Sequence, residues 1–186
     1  MYQSLLASIA RALDAARIPY MVIGGQAVLF HGEPRLTRDI DITLGVDSSQ
    51  LNIVRDAVAH IGLVPSVKEV EAFVRATNVL PLSHTPSGLR VDLIFSFSTY
   101  ESEAIQRAVP VVMEGVQVRF ASAEDLIIHK LVAGRPRDIE DVRGILARNP
   151  SLDEPYLATW LAAFREVVNR DLVAELNSLR TPDTSL

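Results

Sequence analysis

The sequence predicts an α+β fold: a mixed β-sheet flanked by helices, with a small helical part towards the C-terminus. Three observations carry this. Asp39-Ile40-Asp41-Ile42 alternates with period 2, the pattern of a strand with one apolar and one polar face. Residues 3–17 place Leu5, Leu6, Ile9, Leu13 and Ala16 on one side of a helix, with Arg11, Asp14 and Arg17 elsewhere. From Ser122 onward the apolar residues recur at helical spacing, ending in a stripe of Leu157, Trp160, Leu161, Phe164 and Val168.

The elements follow in order. After the first helix, residues 20–23 form a strand and Gly25–His31 a short helix stopped by Gly32 and Pro34. Glu33–Arg38 is a loop holding Arg35, Thr37 and Arg38, and Asp39–Leu44 is the second strand. Asp47-Ser48-Ser49 offers an N-cap for a helix to His60, ended by Gly62. Val70–Val74 and Val79–Leu82 read as short strands around a turn near Asn78. Ser87-Gly88 turns into a strand in which Leu89, Val91, Leu93 and Phe95 alternate with Arg90, Asp92 and Ile94. A helix over Thr99–Ala108, opened by Ser98 or Thr99, precedes a hairpin of Val109–Met113 and Val116–Phe120 around Glu114-Gly115. Ser122 caps a helix to Ala133, Gly134 and Pro136 break it, and Asp138 begins another. Residues 153–179 supply one or two more helices, whose stripe reads as core or as a dimer face.

At 186 residues, 48% of them apolar, the chain holds one domain, or one with an appendage, around a sizeable core. The expected division is a core over 1–121, helices over 122–180 packed on it, and a disordered tail at 181–186. A net charge of −5 argues against a chain wrapped broadly in nucleic acid, though not against a local basic groove. The absence of cysteine excludes disulfides and thiolate metal sites. Charges interrupt the N-terminal apolar pattern and no run has the length of a membrane span, so a cytoplasmic protein without membrane contact is expected.

The chemistry concentrates in residues 20–42. Gly24-Gly25 stands where a strand turns into a helix; without Cβ it lets a phosphate approach the backbone, and the helix start offers free N–H groups. Asp39 and Asp41 share a strand face and repel unless water or a hard cation such as Mg²⁺ lies between them. A phosphate-holding backbone followed by a carboxylate pair suits a nucleoside triphosphate site. Arg35 and Arg38 either balance those carboxylates or contact phosphates. Asp92 is either an edge-strand surface charge or a further site carboxylate. Lys130, one of two lysines in the chain, is either solvated on a helix flank or kept as a compact point charge, and His129 is structural.

Gly-Gly, a short spacer and Asp-hydrophobic-Asp-hydrophobic resemble the signature of the DNA polymerase β-type nucleotidyltransferases. The stretch IGGQAVLFHGEPRLTRDIDI is most similar to the abortive-infection class of nucleotidyltransferase toxins and their relatives. The resemblance runs over residues 20–148 and implies a nucleotidyltransferase fold that moves a nucleoside monophosphate from a triphosphate to an acceptor hydroxyl on tRNA or protein. It implies Asp39, Asp41 and Asp92 as the carboxylates that hold Mg²⁺ or Mn²⁺, with Asp92 in Val-Asp-Leu-Ile-Phe as the third of the set. Gly24, Gly25, Arg35 and Lys130 become nucleotide-binding residues. Asp138, in the block HKLVAGRPRDIEDV, becomes an acid that orients or deprotonates the acceptor, with Asp141 one turn later as a weaker candidate. A cognate antitoxin and a second copy of the chain are the implied protein partners.

Two departures stand out: Gly25 occupies a position where serine is more frequent, so a hydroxyl to phosphate is lost, and the C-terminal helical part is reduced. Two other readings compete. One is a small-molecule nucleotidyltransferase of the antibiotic-modifying kind, which needs an acidic acceptor pocket; RNA calls instead for a basic patch such as Lys130, Arg135, Arg137, Arg143 and Arg148. The other is a catalytically degenerate copy kept as a binding module.

Overall fold

The computed structural model describes residues 1–34, 36, 37, 39–96 and 98–180. Arg35, Arg38 and the tail at 181–186 therefore lie outside the described residues. The chain divides into two compact units, one of Met1–Gln26 with Leu36–Ala121, the other of Ala27–Arg35 with the chain from Ser122 onward.

The first unit carries the sheet. Helix α1 (Tyr2–Ala15) leads to β1 (Tyr20–Ile23), and α2 (Gly24–His31) begins in this unit and continues into the other. Then come β2 (Asp39–Leu44), α3 (Leu51–Ala59), β3 (Leu63–Pro65), α4 (Val70–Thr77), β4 (Val79–His84), β5 (Arg90–Phe95), α5 (Thr99–Gln106), β6 (Val109–Met113) and β7 (Val116–Phe120). The described strands form one sheet in the order β3-β4-β5-β2-β1-β7-β6. It is mixed: β2 runs parallel to β5 and β1 to β7, and the remaining neighbours are antiparallel.

The alternation read in β2 is realised. Ile40 and Ile42 are fully buried, as are Val91 and Leu93 on β5, while Asp39, Asp41 and Asp92 remain half-exposed. Each of these aliphatic side chains stabilises the fold by roughly 1.5–3 kcal/mol relative to exposure. A slip of one residue would exchange them for carboxylates, so the pattern fixes the register.

Two local readings are corrected. Val70–Val74, expected as a strand, begins helix α4. Val70 and Val74 are its buried positions, spaced one helical turn apart, with Glu71 and Arg75 outside. Asn78 ends it as a left-handed cap at φ 56°, not as a turn between strands. The three-residue β3 at the sheet edge was not expected at all. The helix expected from Asp47 to His60 is a 3₁₀ turn, Ser48–Gln50, followed by α3; Asp47 accepts from Ser49 N at 2.8 Å, as a cap should.

The second unit holds the latter part of α2 with α6 (Ala123–Ala133), α7 (Pro136–Arg148), α8 (Glu154–Val168) and α9 (Leu172–Arg180). Ser122 caps α6 by accepting from Asp125 N, and Gly134 ends it at φ 64°, a conformation glycine adopts without a Cβ clash. Pro136 opens α7, and Asp138, three residues past the cap, accepts from Arg135 N. Leu126, Ile127, Leu131, Val142, Ile145, Leu157, Leu161 and Leu172 are its core. The C-terminal stripe thus resolves into two helices, with Leu157 and Leu161 buried and Trp160 and Phe164 half-exposed. Among the described residues, no helix is long and apolar enough to cross a membrane.

Candidate active site

In the first unit the site grows from the corner between β1 and α2. Gly24 has φ +63°, and a Cβ there would overlap the Asp41 carboxylate, standing 2.8 Å from its Cγ. Gly25 is buried, and a Cβ there would overlap the Thr37 hydroxyl and stand 2.8 Å from Thr37 Cβ. The glycines thus clear space for two side chains of the following segment, a use of the missing Cβ that the sequence alone did not reveal.

β2 and β5 run parallel in a register that pairs Asp41 with Asp92 and Asp39 with Arg90. Partners in register lie on the same face, so Asp39, Asp41, Arg90 and Asp92 share one side of the sheet, opposite Ile40, Ile42, Val91 and Leu93. Ile23 and Pro81 complete the cross-strand row through Asp41 and Asp92. Burial pushes the Asp92 carboxyl above its ordinary value; Arg90 pulls it down and the charge of Asp39 pushes it further up. No hydrogen bond reaches the Asp92 carboxylate from the described residues, whereas Asp39 Oδ1 accepts one from Thr37 Oγ1 at 2.9 Å. The Thr37 carbonyl in turn accepts from the Tyr2 hydroxyl at 2.9 Å.

Among the described residues, no three acidic or histidine side chains form a ready-made metal cage. The donors nevertheless fit a hard divalent ion: three carboxylates on one face, one of them feeling another's charge. Mg²⁺ is commonly held by one or two carboxylates together with substrate phosphates and water, which needs no closed protein cage.

The second unit contains a different cluster. Lys130 was expected to project from α6; instead it is buried, with Nζ 2.8 Å from Asp138 Oδ1 and 2.8 Å from Asp141 Oδ2. Both carboxylates are buried as well. Arg135, largely exposed, donates from Nε to Asp138 Oδ2 at 2.6 Å. A helical wheel puts Lys130 on a flank, but α7 folds back and covers that flank with Asp138 and Asp141, one turn apart. Burial pushes the Asp138 carboxyl up, and the hydrogen bonds and charges of Arg135 and Lys130 outweigh it, so the group titrates below the usual carboxylate range. Nearby, Asp125 is fully buried and accepts from the hydroxyls of Ser122 and Tyr156, each at 2.6 Å, pinning the start of α6 to α8. The Ser-x-x-Asp spacing signals the first contact; nothing in the sequence signals Tyr156.

A sequence model of the family described as "Nucleotidyl transferase AbiEii toxin, Type IV TA system" matches residues 5–185. The chain belongs to the AbiEii nucleotidyl transferase toxin family. It is therefore an enzyme of nucleotidyl transfer, from a family whose members are toxins of toxin–antitoxin systems. Its fold is also that of known nucleotidyltransferases. An antigenic nucleotidyltransferase-like protein from Paracoccidioides brasiliensis is 19% identical, with 94% of this chain and 91% of that one covered at a TM-score of 0.56. The antibiotic-resistance factor ANT(2'')-Ia is 19% identical, with 90% and 93% covered at a TM-score of 0.60. Comparison with curated proteins gives no match.

Proposed function

We propose that this AbiEii family member transfers a nucleoside monophosphate from a triphosphate to a hydroxyl of RNA, with Asp39, Asp41 and Asp92 as its catalytic carboxylates. The observation that supports this most is the parallel register of β2 and β5, which sets Asp92 beside Asp41 on the face that also bears Asp39. In this reading Asp39 and Asp41 hold the divalent ions, Mg²⁺ or Mn²⁺, with Asp92 completing the set. Such ions, when bound, stabilise charge on the attacking and leaving oxygens of an in-line displacement. Gly24 and Gly25 keep the corner open, and backbone N–H groups at the start of α2 face the phosphates.

Asp92 would complete the site for the acceptor hydroxyl, and burial pushes its carboxyl above the ordinary value. Asp138 is shifted the other way and is held in ion pairs by Lys130 and Arg135. Lys130, given to the triphosphate by the resemblance, is held instead between Asp138 and Asp141, and Arg35, with the same assignment, lies outside the described residues.

RNA is favoured as acceptor by the exposed arginines of α7, Arg137, Arg143 and Arg148. Lys130 is buried and adds nothing to that surface. A cognate antitoxin is the expected protein partner and the cytoplasm the expected site of action. The test is to incubate the purified protein with each labelled triphosphate, Mg²⁺ and total RNA. Label is expected in an RNA fraction from one triphosphate; label in protein alone would move the acceptor to protein, and no transfer from any of the four would overturn the reading.

A further inference from the structure

We infer that Thr37 is a positioning residue for Asp39, seated in the space that Gly25 leaves by having no side chain. This rests on the reading that Asp39 binds a divalent cation.

Three contacts made by one residue carry the inference. The Thr37 hydroxyl donates to Asp39 Oδ1 at 2.9 Å. Its β-carbon lies 2.8 Å from where a Cβ of residue 25 would be, and its Oγ1 closer still. Its backbone carbonyl is held by the Tyr2 hydroxyl at 2.9 Å. Asp39 is the first residue of β2, where the strand's pairing begins, so its carboxylate depends more on support from a side chain. Thr37 supplies that support. It also fixes the orientation of the carboxylate through Oδ1.

The seat and the donor are separable. A methyl group at residue 25 meets both Oγ1 and Cβ of Thr37, so rotating the hydroxyl away does not relieve it; the segment around residue 37 must move, and Asp39 loses its donor although residue 25 never made a hydrogen bond. Partners that orient a metal ligand typically contribute ten- to a hundredfold to metal affinity.

The experiment is Mn²⁺ titration of the full chain by electron paramagnetic resonance, with an α,β-methylene triphosphate present, and thermal melts as fold controls. Thr37→Val is expected to weaken Mn²⁺ binding about tenfold and Thr37→Ser to restore it. Gly25→Ala is expected to reproduce the Thr37→Val loss. Tyr2→Phe, which leaves the hydroxyl in place and only releases the carbonyl, gives a smaller loss and serves if Thr37→Val fails to fold. Wild-type affinity in Thr37→Val, or a Thr37→Ser as weak as Thr37→Val, overturns the donor role. Wild-type affinity in Gly25→Ala overturns the seat. Asp39→Asn separates the two levels: if it binds Mn²⁺ as the wild type does, the cation reading itself fails, and if it loses binding while Thr37→Val does not, only the positioning inference fails.

Discussion

The chain carries two acidic clusters that solve the same electrostatic problem in opposite ways. On the sheet of the first unit, Asp39, Asp41 and Asp92 share a half-exposed face, and Asp92 is pushed upward by burial and by the charge of Asp39. In the second unit, Asp138 and Asp141 are buried deeper, yet Lys130 bridges both and Arg135 caps Asp138, which ends below its ordinary value. Depth of burial therefore does not decide the direction of the shift; how closely a cation is held does, since Lys130 and Arg135 hydrogen-bond Asp138 while Arg90 acts on Asp92 through its charge alone and burial prevails. The second cluster brings its own positive charge. In the first, the charge of Arg90 does not outweigh burial at Asp92, which is consistent with the proposed uptake of a divalent ion there.

That contrast predicts opposite outcomes for removing one charge from each cluster. Asp41→Asn on the sheet is expected to lower transfer by about 10²–10³-fold or more, the scale of losing one group that stabilises transition-state charge. The melting temperature should hold, because the amide keeps the shape of the carboxylate on a face already in contact with water. A radiolabel transfer assay beside a thermal melt measures both. Near-wild-type transfer would remove the first cluster from the chemistry.

Lys130→Met in the second cluster is expected to act mainly on stability. It leaves Asp141 buried without its lysine and Asp138 with Arg135 alone, a loss of about 3–5 kcal/mol in unfolding free energy. The pH dependence supplies the sign. A carboxyl whose folded pKa is depressed contributes stability that is present above the unfolded value, about 3.9, and is lost as pH falls through the lower folded pKa. In the variant that depression is weaker, because one of the two cations that hold Asp138 ionised is gone. Urea titrations should therefore show the gap between wild type and Lys130→Met narrowing as pH falls; a gap independent of pH would mean that the triad is not what stabilises this unit.

How far the sequence anticipated these clusters follows from the range of each contact. The face shared by Asp39 and Asp41 was legible because period 2 is local, and the fold class followed from the same kind of pattern. The resemblance added Asp92, whose pairing with Asp41 spans more than fifty residues of chain. The helix at Val70–Thr77 was misread because Val, Phe and Val in five residues look strand-like, and the deciding fact, burial of Val70 and Val74 alone among those five, is tertiary. Lys130 was taken as projecting because a wheel drawn on α6 does not know that α7 covers it. Thr37 drew notice only as a member of its loop, since its contacts to Gly25 and Tyr2 exist only once the chain has folded.

The smallest expected effect is the most discriminating. Asp92 has a folded pKa raised above its unfolded value, so its contribution to stability is present below about pH 3.9 and is lost as pH rises through the folded pKa. At neutral pH the ionised side chain is a mild liability, which solvent around a half-buried group keeps small. Asp92→Asn should accordingly raise the unfolding free energy at pH 7 by a few tenths of a kcal/mol, up to about 0.5. That gain should vanish in acid, while transfer falls as in Asp41→Asn. Adding Mg²⁺ with triphosphate should reverse the order of stabilities, because only the wild type gains by binding a cation there. A destabilised Asp92→Asn at neutral pH would place Asp92 with the second kind of cluster, a carboxylate whose charge the fold itself already compensates.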